Sequence, residues 1–148
     1  MMEIQLGEFH VTDDKTLLQL DRICALLSAT YWVGERSREV IERSIQNSLC
    51  VGVYHRGEQI AFARCVTDYA TIFWLADVIV DERFRGRGVG KAMVSAILSH
   101  ERLQGVNGIL ATRDAHSLYE WHGFALVDPT RYMRRNAVKP IIPVTKAE

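Results

Sequence analysis

Polar and apolar positions alternate over Glu3–Val11, where Ile4, Leu6, Phe9 and Val11 mark an edge strand. Thr12-Asp13-Asp14 then offers capping side chains ahead of a helical stretch carrying Leu17, Leu20, Ile23, Cys24 and Leu27. A second helix is expected from Ser37, burying Val40, Ile41 and Ile45. Leu49–Tyr54 and Ile60–Val66 read as two strands about the turn His55-Arg56-Gly57-Glu58, which makes them a hairpin. Asp68-Tyr69-Ala70 turns the chain into a long strand ending near Val80.

Beyond that strand the period changes. From Val89 to Arg102, Lys91, Ser95, Ser99 and Arg102 form a polar stripe, with Val89, Ala92, Met93, Ala96 and Ile97 opposite. That is a helix with one wet face. Gly105 stops it, Ile109-Leu110-Ala111 reads as a short buried strand, and Asp114–His122 as a short helix closed by Gly123. Phe124–Val127 and Arg131–Arg135 are expected to finish the chain as strands. Antiparallel strands followed by strand, helix, strand, helix and strand give an α+β (mixed α/β) fold. Its sheet is mixed, six- or seven-stranded and flanked by about four helices, with one parallel crossover.

Composition narrows the class. The 148 residues fit one domain, expected over 1–135, with 136–148 as a tail around Pro140 and Pro143. Eighteen basic residues balance eighteen acidic ones, which argues against a nucleic-acid surface. The longest mostly apolar run, Phe73–Val80, is interrupted by Asp77 and is too short to span a bilayer. Met1-Met2-Glu3-Ile4 lacks a leader's basic and apolar regions, and Cys24, Cys50 and Cys65 form no CxxC pair. The expectation is a cytoplasmic protein with reduced, buried thiols. His116 and His122 stand without a Cys or carboxylate cluster, so no metal is expected.

The glycine turn carries the chemistry. Arg85-Gly86-Arg87-Gly88-Val89-Gly90 places three of the ten glycines between a buried strand and a helix start. Glycine lets a ligand approach the backbone, and free N–H groups at a helix N-terminus favour an anion. Arg83, Arg85, Arg87 and Lys91 add cations to the same stretch. The order favours phosphate binding over a merely solvated basic turn. The spacing excludes a P-loop, because only Arg87, Gly88 and Val89 separate Gly86 from Gly90-Lys91, and Ala92 follows. It also excludes a dinucleotide fingerprint, whose third glycine would fall at Lys91.

The turn resembles the signature of the GNAT superfamily of acyl-CoA N-acyltransferases, (Gln/Arg)-x-x-Gly-x-(Gly/Ala) entering a helix. Leu118-Tyr119-Glu120-Trp121-His122-Gly123-Phe124 is similar to the family's Leu-Tyr-x-x-x-Gly-Phe. With the order of elements, the resemblance covers residues 3–135. It implies a sheet splayed between the family's fourth and fifth strands, here 73–80 and 108–112, with acetyl-CoA as cosubstrate in the opening. Pantetheine would pair with Val78, Ile79 and Val80, and the pyrophosphate would sit on Arg85, Gly86, Arg87, Gly88, Val89, Gly90 and Lys91. The implied reaction is direct attack of an amine on the thioester in a ternary complex. A backbone N–H of the splayed strand would serve the oxyanion, and Tyr119, at the family tyrosine, would protonate the sulfur.

The base does not carry over. Positions holding a carboxylate in several relatives are Trp74 and Leu110 or Ala111 here. Asp77 remains, either as a base or as a structural acceptor for a loop amide or Arg64. Tyr31, Trp32 and Arg36 join the first two helices, a region that covers the acceptor in relatives, though the aromatics suit a core cap equally. The expected acceptor is a primary amine of a small molecule or peptide. The alternative is a noncatalytic acyl-CoA-binding sensor or partner-binding module. Ile141, Ile142 and Val144 in the tail favour a homodimer.

Overall fold

The computed structural model describes residues 1–30 and 36–137, and the chain divides into two compact units, 1–111 and 112–148. The first unit is built on one six-stranded sheet whose spatial order follows the chain. Strands β1 (Glu3–Leu6) and β2 (Phe9–Thr12) form a hairpin, not the single edge strand that the alternation suggests. Gly7, at φ +57°, takes the first position of its two-residue loop, a conformation other side chains resist. Strands β3 (Leu49–His55) and β4 (Glu58–Thr67) form the expected hairpin, with Arg56 and Gly57 both at positive φ. Strand β5 (Ile72–Val80) pairs antiparallel with β4, and β6 (Asn107–Ile109) pairs parallel with β5.

Helices cover both faces. On one, α1 (Leu20–Ser28) and α2 (Arg38–Gln46) bury Ile23, Leu26, Leu27 and Ile41 against Cys50, Phe62 and Ile79. Ser37 caps α2 as its sequence predicts, accepting from Val40 N at 3.2 Å. Asp14 caps only a 3-10 turn over Lys15–Leu17, and α1 follows with no side-chain cap. On the other face, α3 (Val89–Leu98) packs on β3, β4 and β5 and buries Met93, Val94 and Ile97. Burial from both sides explains why β3 is a continuous apolar run rather than an alternating one. Helix α3 ends at Leu98, four residues before the expected Arg102, because His100 starts a new 3-10 turn. The His100 ring accepts from Arg102 N at 3.1 Å and meets Asp13 Oδ2 at 2.8 Å through its other nitrogen.

The second unit holds α4 (His116–Trp121), shorter than the expected Asp114–His122. Phe124–Val127 and Arg131–Arg135 are not strands. Asp128 instead accepts from Thr130 N at 2.9 Å and starts a 3-10 turn over Pro129–Arg131. β-Branched and aromatic residues make a strand only against a partner strand, and Pro129 brings no donor to a ladder. The tail residues Ile141, Ile142 and Val144, on which the homodimer expectation rests, lie outside the described residues. Among the described residues no helix is long and apolar enough to cross a membrane.

All three cysteines are free thiols. Burial pushes Cys50 up to about 11 and Cys65 up to about 12, so neither is a thiolate at neutral pH. Cys24 is only partly buried. Titration of the native protein with dithionitrobenzoate at pH 8 is therefore expected to modify Cys24 first. Cys50 and Cys65 should react only as denaturant unfolds the sheet, and fast modification of either in the native state would contradict this packing.

Candidate active site

Three features of the first unit meet along β5. The first is its outer edge. Strand β6 pairs only with Ile72, Phe73 and Trp74, leaving Leu75–Val80 without a strand partner on that side among the described residues. Gly108 permits this limited pairing, because a Cβ there would lie 2.1 Å from the Phe73 ring. Expected residues Val78, Ile79 and Val80 lie on the unpaired stretch.

The second feature is a bulge. Phe62 pairs with Ile79 and Arg64 with Ala76, so β5 carries one residue more than β4 between these pairs. Asp77 sits there at φ +54°, a left-handed conformation uncommon for a non-glycine residue. Its carboxylate is buried, and Oδ2 accepts from Arg64 Nε and from Arg36 Nη1, each at 2.8 Å. Arg64 also donates to Ser48 Oγ at 3.1 Å. Of the two roles open to Asp77 from sequence, the acceptor for Arg64 is visible, and Arg36 joins it. Tyr31 and Trp32 lie outside the described residues.

The third feature is the glycine turn. Asp81 ends β5 and accepts from Arg83 N at 2.9 Å, starting a 3-10 turn over Glu82–Phe84. It also accepts from Arg22 Nη2 on α1 at 2.7 Å and from Arg83 Nη2 at 2.8 Å, and these bonds hold its carboxyl well below the usual carboxylate range. Arg85 Nε donates to Val80 O at 3.1 Å. The Arg87 guanidinium lies over the rings of Phe9 and Phe84, 5.2 and 5.4 Å from their centroids. Gly86 and Gly88 take φ +77° and +81°, and Gly88 begins α3 without a side-chain cap. The first helical N–H groups thus lack the capping oxygen most helices supply, and a Cβ at either glycine would meet nothing within 4 Å. Space and donors together suit a phosphate. Asp81, Phe9 and Phe84 were not singled out from sequence, since nothing in their spacing announces a clamp on the turn.

In the second unit, α4 closes on Gly123 at φ +94°. Phe124 N donates to Tyr119 O and Gly123 N to Glu120 O, each at 3.0 Å, while the Phe124 ring meets that of Tyr119 edge-on at 6.0 Å. This is a Schellman stop with its hydrophobic contact. The Leu-Tyr-x-x-x-Gly-Phe pattern is physically the device that ends the helix and packs Tyr119. Burial pushes the Tyr119 phenol up from its ordinary value, so it stays protonated at neutral pH.

The chain matches the family model described as the acetyltransferase (GNAT) domain over residues 46–126. It belongs to the GNAT acetyltransferase family. A GNAT-family protein from Xanthomonas campestris pv. campestris is 40% identical, with a TM-score of 0.85, covering 90% of this chain and 96% of its own. "Putative acetyltransferase FG08082" of Gibberella zeae is 29% identical over 119 residues, 67% of this chain. The chain spans 66% of the length of that curated relative. AAC(6')-Iy, solved with the bisubstrate analog CoA-S-monomethyl-acetylneamine, shares the fold with a TM-score of 0.67 at 18% identity, covering 88% of this chain and 100% of its own. The fold expectation therefore holds in this GNAT chain, with six strands and with the family's fourth and fifth strands numbered β5 and β6 because β1 and β2 are separate.

Two outcomes follow from the turn. Gly88→Val should abolish CoA binding by calorimetry, since a branched side chain enters the open space and resists φ +81°. Gly90→Ala has ordinary backbone and only a 3.8 Å contact with Val80, so it should fold at least as stably. Weaker CoA binding by a stable Gly90→Ala would locate the ligand on the turn, and unchanged affinity in Gly88→Val would remove it. For Asp81→Asn, chemical denaturation at pH 7 should show a loss of about 1–3 kcal/mol, the worth of charge-assisted bonds. Because the folded carboxyl is depressed, its contribution is complete above the unfolded value of about 3.9 and fades as pH falls below it. The gap between wild type and variant should close in that acid range.

Proposed function

We propose that the protein transfers an acetyl group from acetyl-CoA to a primary amine by direct attack in a ternary complex. The observation that carries the reading is the continuity of the unpaired β5 edge with an uncapped, glycine-lined helix start. An extended amide-bearing arm adds to a strand edge, and a diphosphate suits the helix end. AAC(6')-Iy, of the same fold, was solved with a CoA-linked bisubstrate analog.

In this reading the neutral amine attacks the thioester carbon, and a backbone N–H of the β5 edge stabilises the oxyanion. The C–S bond then breaks, Tyr119 gives its proton to the departing thiolate, and the nitrogen sheds its extra proton to water, from which the phenolate is reprotonated. The raised phenol suits a donor that is never ionised at neutral pH. Asp77, with one oxygen shared by two guanidiniums, serves the reading best as the anchor of the bulge. The amine's proton is then lost to water before attack. That engagement of Asp77, together with Trp74 where the family resemblance implies an acid in several members, also favours a second reading: a noncatalytic acyl-CoA-binding module. Thiol release from acetyl-CoA with an amine panel separates the two.

Tyr119→Phe keeps the ring that packs on Phe124 and removes only the hydroxyl. Steady-state thiol release is expected to fall by about 10²–10⁴, the usual worth of a positioned acid, with CoA affinity and melting temperature nearly intact. Wild-type turnover in Tyr119→Phe under chemistry-limited conditions would reduce Tyr119 to a packing residue.

A further inference from the structure

We infer that the amine acceptor carries an oxyanion, a carboxylate or a phosphate, that seats on Arg36 and Arg64 while its apolar body lies on Trp74 and Val66. This rests on the acetyl-transfer reading and adds the chemical class of the acceptor.

The register fixes which side chains share a face. Phe62, Arg64 and Val66 on β4 stand opposite Ile79, Ala76 and Trp74 on β5, and Ile72 continues the row. Helix α1 covers the upper part of this face, at Phe62 and Ile79. Below the bulge the face is partly open: Val66, Trp74 and Ile72 are 44%, 43% and 41% exposed. Their neighbours pointing the other way, Cys65, Phe73 and Leu75, are 0%, 3% and 4% exposed. The opening is therefore confined to one side of the sheet. A half-bare tryptophan beside two β-branched residues suits a flat apolar group.

Charge supplies the second constraint. Two guanidiniums converge on one oxygen of one carboxylate, leaving an excess of one positive charge among the described residues at the bulge. The side chains of Arg36 and Arg64 are only 23% and 13% exposed, so this excess is poorly shielded by water. Among the described residues Arg36 spends one nitrogen on Asp77 and keeps the rest of its fork. A guanidinium with a free fork favours a carboxylate or phosphate that takes two parallel bonds. A polyamine or another polycation would meet like charge here and be rejected.

Position ties the charge to the reaction. Asp77 lies three residues before Val80, about 10 Å along the strand at about 3.3 Å per residue. A pantetheine arm running back along the unpaired edge from the glycine turn brings the acyl group to this bulge. An acceptor held by its oxyanion on Arg36 and its apolar body on Trp74 presents its amine there.

The test uses matched acceptors with the full-length protein and acetyl-CoA. The pairs are phenylalanine and phenylalaninamide, 4-aminobenzoate and 4-aminobenzamide, and phosphoethanolamine and ethanolamine, with spermidine as the cationic contrast. With kcat/KM expressed per neutral amine, because an oxyanion makes its neighbouring amine more basic, the oxyanion member of at least one pair should exceed its neutral partner about tenfold or more, and the pair that responds distinguishes carboxylate from phosphate. Arg36→Gln should bring that ratio to near one, and Arg36→Lys should restore part of it. The ratio is internal to each variant, so general damage to the bulge cancels. Calorimetry of the same pairs, with and without CoA, reads the preference where turnover is slow. Oxyanion members that neither react faster nor bind tighter than their partners, or a preference for spermidine, overturn the inference. An intact oxyanion preference in binding, without CoA binding or thiol release, would overturn the acetyl-transfer reading alone.

Discussion

A buried carboxylate shared between two arginines is the constraint around which the site is arranged. Asp77 cannot leave its charge unpaired inside the sheet, because an isolated buried ion costs several kcal/mol. Arg64 reaches it from the neighbouring strand and Arg36 from just before the cap of α2, 41 residues away in the chain. The pairing in turn holds a left-handed backbone that is uncommon outside glycine, though aspartate tolerates it better than most residues. A φ of +54° costs of order 1–3 kcal/mol for a non-glycine residue and persists only where its surroundings over-determine it. Two charge-assisted bonds to one oxygen are enough to do so. Strain, charge and the extra residue of β5 are therefore one feature, placed where the strand parts from β6.

Four residues further on, Asp81 solves a different problem with the same chemistry. It takes the free N–H of Arg83 and the side chains of Arg22 and Arg83, fixing the direction in which the chain leaves β5. The clamp allows the next residues to be glycines in left-handed conformations without the turn becoming loose. Arg85 is tied back to Val80, and Arg87 lies over two rings, so these cations border the turn without filling it. One strand thus carries both an anchored bulge and an anchored exit, with open backbone between them.

How far this was legible in the sequence follows the range of each interaction. Hairpins, the α2 cap and the glycine turn depend on residues within a few positions of one another, and their spacing discloses them. The β1–β2 hairpin shows in the sequence only as a phase shift, the apolar positions moving from even (Ile4, Leu6) to odd (Phe9, Val11) across Gly7, and each half is too short for the shift to stand out. The strands expected at 124–127 and 131–135 failed for the converse reason: a strand pattern states what a segment can do beside a partner and supplies none. Asp77 stood out as the only charge in an apolar strand, but its second arginine and its positive φ have no local signature. Trp74 was legible as the absence of a family acid. Its exposure, which turns that absence into a surface, came only with the register of β4 on β5.

Trp74, at the position where the family resemblance implies an acid in several members, has a consequence for selectivity under the acetyl-transfer reading. Without a dedicated base, the rate follows the fraction of acceptor that is already neutral in water. At pH 7.5 an α-amine with a pKa of about 7.8 is about a third neutral, whereas a lysine amine at about 10.4 is neutral about once in a thousand. The neutral form of a weakly basic amine is therefore about two orders of magnitude more abundant before any contact is made, an advantage that its lower intrinsic nucleophilicity reduces. An enzyme with a positioned carboxylate narrows that difference by drawing the proton from a strong base inside the complex. Here the same position offers an apolar surface, and the nearby charge is positive. Both changes act in one direction: they disfavour lysine-like cations and favour an amine that arrives neutral with its charge, if any, negative.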